Sequence, residues 1–201
     1  MIIAVYSGSF NPLHIGHLAI IRHMIEVAGF DMVYLIVSPK NPLKDGISSD
    51  SGSERYKAAV EAVERRFLRS GLSDFGRNDS KAVEARVKVD DIELNMPEPH
   101  YTIRTLDALK EREPGNRFTL VMGADNLADI RRWRDYTRIL KEFGVAVFPR
   151  EGHDLTEIKQ DLLKEDPAYM IQILDAEMVD ISSTQIREAI SRGEDISHCL
   201  M

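Results

Sequence analysis

Residues 7–20 read SGSFNPLHIGHLAI, and they join two kinds of hydrophobic pattern. Before them, the apolar run Met1–Val5 predicts a buried strand over Ile2–Tyr6. After them, Leu18 to Ala28 carries helical spacing. Between strand and helix sit two glycines, a proline, and two histidines three residues apart, His14 and His17.

Outward from this junction the elements alternate. Met32–Val37 (MVYLIV) predicts a second buried strand, and residues 39–53 a loop by their Pro, Gly and Ser content. Glu54–Leu68 is helical by the spacing of Tyr56, Ala59, Val60 and Val63. Residues 70–80 are polar and read as an insertion loop, and Val83–Val89 alternates like a strand with one wet face. Tyr101–Glu111 predicts a helix, Arg117–Met122 a strand, and Leu127–Phe143 helical material. Gly144–Phe148 predicts a strand and Leu155–Leu163 an amphipathic helix. Met170–Leu174 and Met178–Ile181 predict short strands, and Ser183–Ser191 a last helix. Apolar strands alternating with helices predict an α/β fold: a Rossmann-like, doubly wound, mainly parallel sheet with helices on both faces. The whole chain, 1–201, is expected to be one domain with a mobile substrate loop at 39–53.

Composition narrows the function classes. The 201 residues carry a formal net charge of −7, the wrong sign for a general nucleic-acid binder. There is one cysteine, Cys199, so no disulfide can form within the chain, which suits a reducing compartment. The first residues lack a basic leader, and no apolar stretch is long enough to cross a membrane. A cytoplasmic protein without nucleic-acid or membrane partners is expected, and a homo-oligomer is left open.

In such a sheet, ligands bind beyond the carboxyl ends of the strands. Those ends are residues 7–17, 38–44, 123–126, 149–153 and 181–187. At the first, a helix N-terminus offers unpaired N–H groups and a partial positive charge. Gly8 lets backbone approach a ligand, Pro12 fixes a turn, and Gly16 leaves room for a bulky group. His14 and His17 lie on one face of the turn. The set suits a polyphosphate. A single histidine here would be an ordinary cap or surface residue. A metal pair lacks a nearby Cys or acidic ligand. At the last strand end, ISSTQIRE (181–188) offers Ser182 or Ser183 as a helix cap and Arg187 on the same face as Thr184. A guanidinium there can grip two phosphate oxygens.

GSFNPLHIGH resembles the H-x-G-H signature of the nucleotidyltransferase superfamily, and SSTQIR resembles its I-S-S-T-x-I-R motif. Among its branches, SPKNPLK (38–44), EPHYTIRTL (98–106), GADN (123–126) with Trp133, and FPREG (148–152) resemble the bacterial nicotinate-mononucleotide adenylyltransferase family over almost the whole chain. The sequence departs from that pattern at Ser7 (commonly glycine), Leu43 (commonly histidine) and Glu151 (commonly proline). The resemblance implies adenylyl transfer from ATP, with Mg²⁺ carried by the nucleotide, to nicotinate mononucleotide. It implies His14, His17 and Arg187 as catalytic residues. It implies an ATP site of Gly8, Ser9, Phe10, His14, Gly16, His17, Asp125, Arg150, Ser182, Ser183, Thr184 and Arg187. It implies Lys44, Tyr101, Thr102, Asp125 and Trp133 on the acceptor. Nicotinamide mononucleotide or another phosphorylated acceptor is the alternative within this chemistry, and a non-catalytic nucleotide-binding regulator the alternative outside it.

Overall fold

The structure, a computed structural model, describes residues 1–39, 52–68, 86–176 and 183–201. Its frame is a six-stranded sheet, with every pairing parallel, in the order β3-β2-β1-β4-β5-β6. The strands are β1 (Ile2–Gly8), β2 (Met32–Val37), β3 (Val87–Asp90), β4 (Arg117–Gly123), β5 (Val145–Phe148) and β6 (Ile171–Ile173). The helices are α1 (Ile15–Glu26), α2 (Gly52–Leu68), α3 (Thr102–Arg112), α4 (Ala124–Ala128), α5 (Tyr136–Arg138), α6 (Leu155–Glu165) and α7 (Ser183–Ser191).

Strand residues alternate between two cores, because side chains along a strand point to opposite faces. Ile3, Val5, Tyr34 and Ile36 join one cluster with Ile103, Leu106 and Leu109 of α3 and Leu155 and Leu162 of α6. Ala4, Tyr6, Val33, Leu35 and Val37 join the other with Leu18, Ile21 and Met24 of α1 and Ala59 and Val63 of α2. Both faces are therefore covered, which is why β1 and β2 read as unbroken apolar runs. The order 3-2-1-4-5-6 places a topological switch point between β1 and β4, where the chain leaves for opposite faces. Since all strands are parallel, the helices that follow them start at one edge of the sheet. Their positive ends gather there.

Three differences from the sequence expectation matter. First, β1 runs on to Gly8, because Ser7 and Gly8 still pair with Ile36 and Val37. Second, α1 starts at Ile15 rather than Leu18, which makes His14 its cap and His17 its third residue. Third, Leu127–Phe143 is not one helix. α4 gives way to a 3-10 turn (Ile130–Arg132), Trp133 is extended, and Asp135 is left-handed at φ 51°. Then α5 passes into a π-helical turn, Ile139–Phe143. Leu127, Ile130, Ile139, Leu140 and Phe143 are buried all the same, so their spacing marks the inner face without an unbroken hydrogen-bond ladder. The strand expected at Met178–Ile181 lies outside the described residues, as do most of the 39–53 loop and all of 70–80.

Candidate active site

The first turn of α1 is built around two stacked imidazoles. The His14 N–H donates to His17 Nδ1 at 3.2 Å, and the ring centroids lie 3.8 Å apart. The His14 carbonyl accepts from the N–H groups of His17 and Leu18 at 2.9 and 3.2 Å. With Nδ1 accepting, the proton of neutral His17 sits on Nε2, which is left as a donor. His14 is buried, and its Nδ1 has no hydrogen-bond partner among the described residues.

Aromatic rings close around His17. Phe10 meets it edge-on at 5.3 Å and Tyr6 lies at 6.1 Å. Tyr6 is itself packed edge-on by Phe10 at 5.5 Å and Phe148 at 6.1 Å. Phe10 takes the left-handed region at φ 44°, uncommon for a residue with a large side chain, and Asn11–Pro12 is a cis peptide. This apolar setting sets the charge. Burial first, then the nearby Arg150 cation, brings His14 down to about 4. Burial, His14 and Arg150, in that order, bring His17 down to about 3. Both rings are neutral at physiological pH. Burial also raises the Tyr6 phenol, with the Arg150 cation opposing and the Asp125 carboxylate adding.

Asp125 and Arg150 reach this region from β4 and β5. Gly123 caps α4, and a Cβ there would lie 2.4 Å from Asp125 Oδ1 and 3.2 Å from the Phe148 ring. A side chain there would force the Asp125 carboxylate and the Phe148 ring to shift. The Arg150 guanidinium lies over the Phe148 ring, 5.4 Å from its centroid.

α7 comes from the other end of the chain onto the same loop. Arg187 donates to the Asn11 carbonyl at 2.9 Å and to Thr184 Oγ1 at 3.0 Å. Ser183 Oγ donates to the Pro12 carbonyl at 3.4 Å. Among the described residues, two of the five guanidinium donors are thus used within the protein. Leu200 forms an antiparallel bridge with His14, and Met201 is buried in the cluster that holds Phe10 and Leu13.

On the β3 side, Tyr101 caps α3 and Thr102 is its first residue. Tyr101 is 38% exposed, so its ring is available to a ligand. The Arg104 guanidinium holds the carbonyls of Pro97 and Pro99 at 3.1 and 2.7 Å, fixing the approach to this helix start. Trp133 is half-buried against the α3–α6 core, and its Nε1 has no partner among the described residues. No ring contact joins Tyr101 to Trp133 among the described residues.

The structure therefore brings Gly8, Ser9, Phe10, His14, Gly16, His17, Ser183, Thr184 and Arg187 together around one loop, with Asp125 and Arg150 within electrostatic reach of Tyr6. Tyr101, Thr102 and Trp133 stand apart from that cluster. Lys44 and Ser182 lie outside the described residues. Sequence reasoning missed Tyr6, Phe148 and the carbonyls of Asn11 and Pro12. Tyr6 did carry a faint signal, a polar-tipped ring at the end of a buried strand. Among the described residues, no group of three or more His, Cys, Asp and Glu could hold a metal ion, and no helix is long and apolar enough to cross a membrane.

A parallel sheet of this order, with helix starts and neutral imidazoles at its switch point, is the frame of a nucleotide-binding α/β protein. The chain belongs to the cytidylyltransferase-like family, which it matches over residues 5–189. A relative from Flavobacterium johnsoniae, named "Probable nicotinate-nucleotide adenylyltransferase", is 36% identical over 200 residues, covering 100% of this chain and 92% of its own length. One of the same name from Bacteroides fragilis is 34% identical over 196 residues, covering 98% of this chain and 85% of its own. The chain also superposes on the nicotinic acid mononucleotide adenylyltransferase of Plasmodium falciparum complexed with NaAD. That match has a TM-score of 0.72 and 20% identity, and covers 98% of this chain and 87% of the other.

Proposed function

We propose that this protein transfers the adenylyl group of ATP to nicotinate mononucleotide, giving nicotinate adenine dinucleotide and pyrophosphate on the route to NAD. The observation that carries the reading is the neutral His14–His17 pair at the start of α1, in a loop whose Asn11 carbonyl is held by Arg187 of α7. The names of the curated relatives support the choice of acceptor.

The reaction asks little covalent chemistry of the protein. The attacking group is a phosphate monoester whose second pKa is about 6, so it is already mostly dianionic at neutral pH. No protein base is required. The difficulty is to bring two anions into line and to hold the charge that develops on the α-phosphate and the leaving pyrophosphate. Three kinds of group on this chain suit that task. His17 offers its Nε2–H from a ring fixed by Nδ1 and by Phe10. The first amides of α1 and α7 offer backbone donors. Arg187 offers the donors not taken by Asn11 and Thr184. A neutral donor loses no proton during the step, and a dry aromatic wall strengthens it by lowering the local dielectric. Gly8, Ser9, Phe10, Gly16, Asp125, Arg150, Ser183 and Thr184 complete the nucleotide side, with Ser182 assigned there by the motif alone. Mg²⁺ enters as part of the ATP substrate. The α3 start at Tyr101 and Thr102 suits the nicotinate carboxylate and Trp133 the ring, while Lys44 is assigned to the acceptor phosphate by the motif alone. Working on these metabolites with a lone cysteine, the enzyme belongs in the cytoplasm.

The test is pyrophosphate release with ATP and a panel of acceptors. Nicotinate mononucleotide should be the best substrate, ahead of nicotinamide mononucleotide, with phosphopantetheine inert. ATP binding with no turnover on any acceptor would instead establish a regulator. His17→Ala should lose at least about a hundredfold in kcat, as when an oxyanion donor is removed. Its ATP affinity should change far less, and near-normal kcat would remove His17 from the catalytic set.

A further inference from the structure

Arg55 is the buried cation that the proposed reaction leaves unused. It lies in the first turn of α2 and is only 6% exposed. Its guanidinium holds three backbone carbonyls: Nη1 donates to Ser9 and Ser38, and Nη2 donates to Pro39, each at 2.8 Å. Ser9 belongs to the loop after β1 that presents the histidines. Ser38 and Pro39 belong to the exit of β2. The same exit is stitched to β1 by the Ser38 N–H, which donates to the Gly8 carbonyl at 3.0 Å.

The clip extends toward the acceptor side. A Cβ on Gly52 would lie 3.3 Å from Pro39 Cα and 2.7 Å from Leu94 Cδ2, so the start of α2 packs directly on the exit of β2 and on the 3-10 turn Ile92–Asn95. From that turn, the buried Glu93 accepts from Thr105 Oγ1 of α3 at 2.8 Å. A continuous series of contacts thus runs from Ser9 through Arg55, Pro39, Gly52 and Leu94 to the first turns of α3. Arg55 is the member that holds carbonyls of both loops at once.

We infer that Arg55 is a positioning residue for the transfer step, setting the distance between the histidine-bearing loop and the half of the sheet that carries α3. The inference rests on the proposed transfer, in that α3 is taken as the acceptor side. Chemistry explains why arginine stands here. A guanidinium presents rigid, divergent donors that satisfy carbonyls from two loops at once, whereas an ammonium is a single point donor on a flexible stem. Misplacing reacting groups by about 1 Å can cost about a hundredfold in rate while each ligand still binds.

The experiment is Arg55→Lys, which retains charge and loses the fork, with Gly52→Ala as a second variant that keeps Arg55 and pushes on Pro39. For Arg55→Lys, kcat should fall about ten- to a hundredfold, with ATP Kd within about threefold of wild type. For Gly52→Ala the fall should be smaller, with the same sparing of ATP affinity. A merely structural role would lower Tm and leave kcat alone. Folded Arg55→Lys with kcat within about twofold of wild type overturns the inference, and so does a loss of ATP affinity matching the loss of kcat. If Arg55→Lys does not fold, unchanged kcat in Gly52→Ala overturns it. Should the wild type show no turnover on nicotinate mononucleotide, the functional reading fails. Arg55 is then judged by amide exchange in residues 8–11 and 36–39: faster exchange in Arg55→Lys supports the clip, and unchanged exchange overturns it.

Discussion

Lowering the pH should destabilise this protein through its two site histidines. Folded His14 and His17 titrate at about 4 and about 3, against 6.5 for a free imidazole. A cation is disfavoured in the folded state, so the unfolded chain binds the extra protons. The stabilisation is fully present above about pH 6.5 and is lost as the pH falls toward 4. Each proton in excess gives a slope of about 1.4 kcal/mol per pH unit, so going from about pH 8 to about pH 5 removes about 2 kcal/mol per ring. The pair together gives about 4 kcal/mol, a large part of the 5–15 kcal/mol of an ordinary domain. Carboxylates contribute mainly at lower pH. Asp90, for example, is held below the usual range by Arg112 and Lys88 despite its burial, so its contribution survives until below about pH 4. Urea midpoints at constant m, taken from about pH 8 to about pH 5, measure the slope, and His14→Gln/His17→Gln should flatten it. Imidazole proton signals followed by NMR give the two titrations directly. A flat stability profile in that window, or imidazoles titrating near 6.5, would refute the account of the site as a dry pocket of neutral donors.

Other parts of the structure make separate predictions. Trp133→Ala should raise KM for the mononucleotide more than KM for ATP; equal effects in steady-state kinetics would count against a role on the acceptor ring. Gly123→Ala places a Cβ against Asp125 Oδ1 and the Phe148 ring, so kcat/KM for ATP should drop about tenfold or more while the fold persists by circular dichroism. Arg112→Met leaves the buried Asp90 carboxylate with only Lys88 and the Ile92 N–H. It should cost about 2 to 3 kcal/mol in denaturant melts, less than the loss of a sole partner because those two remain.

The parallel sheet and the strand-to-helix turn bearing His14 and His17 were legible in the residues for a physical reason, whereas Arg187 was marked by the resemblance of SSTQIR to a known motif. Strands covered on both faces must be apolar throughout, and glycines, a proline and two histidines at a strand-to-helix junction are residues that few other contexts favour together. What stayed hidden depends on contacts distant in sequence. Arg55 shares a helical stripe with the buried Ala59 and Val63, a spacing of four, and a charge on an apolar stripe reads most simply as solvated. Its carbonyl partners become visible only when β1 and β2 lie side by side. The break at Trp133–Asp135 was hidden for the opposite reason. Ile130, Ile139, Leu140 and Phe143 keep facing inward across it, so the burial pattern continues where the backbone pattern stops.

The hydrogen bond from Arg187 to Asn11 spans 176 positions of the chain. During synthesis the first strand and helix, with both histidines, leave the ribosome long before Arg187 does. A nascent chain lacking α7 can form most of the sheet, yet the loop after β1 is without the contacts that Ser183 and Arg187 make to it. The loop that carries both histidines is therefore closed late, by the last helix of the chain. A chain cut before α7 would keep all six strands, yet it would lose the helix that braces this loop and the buried side chains of Ile186, Ala189 and Met201.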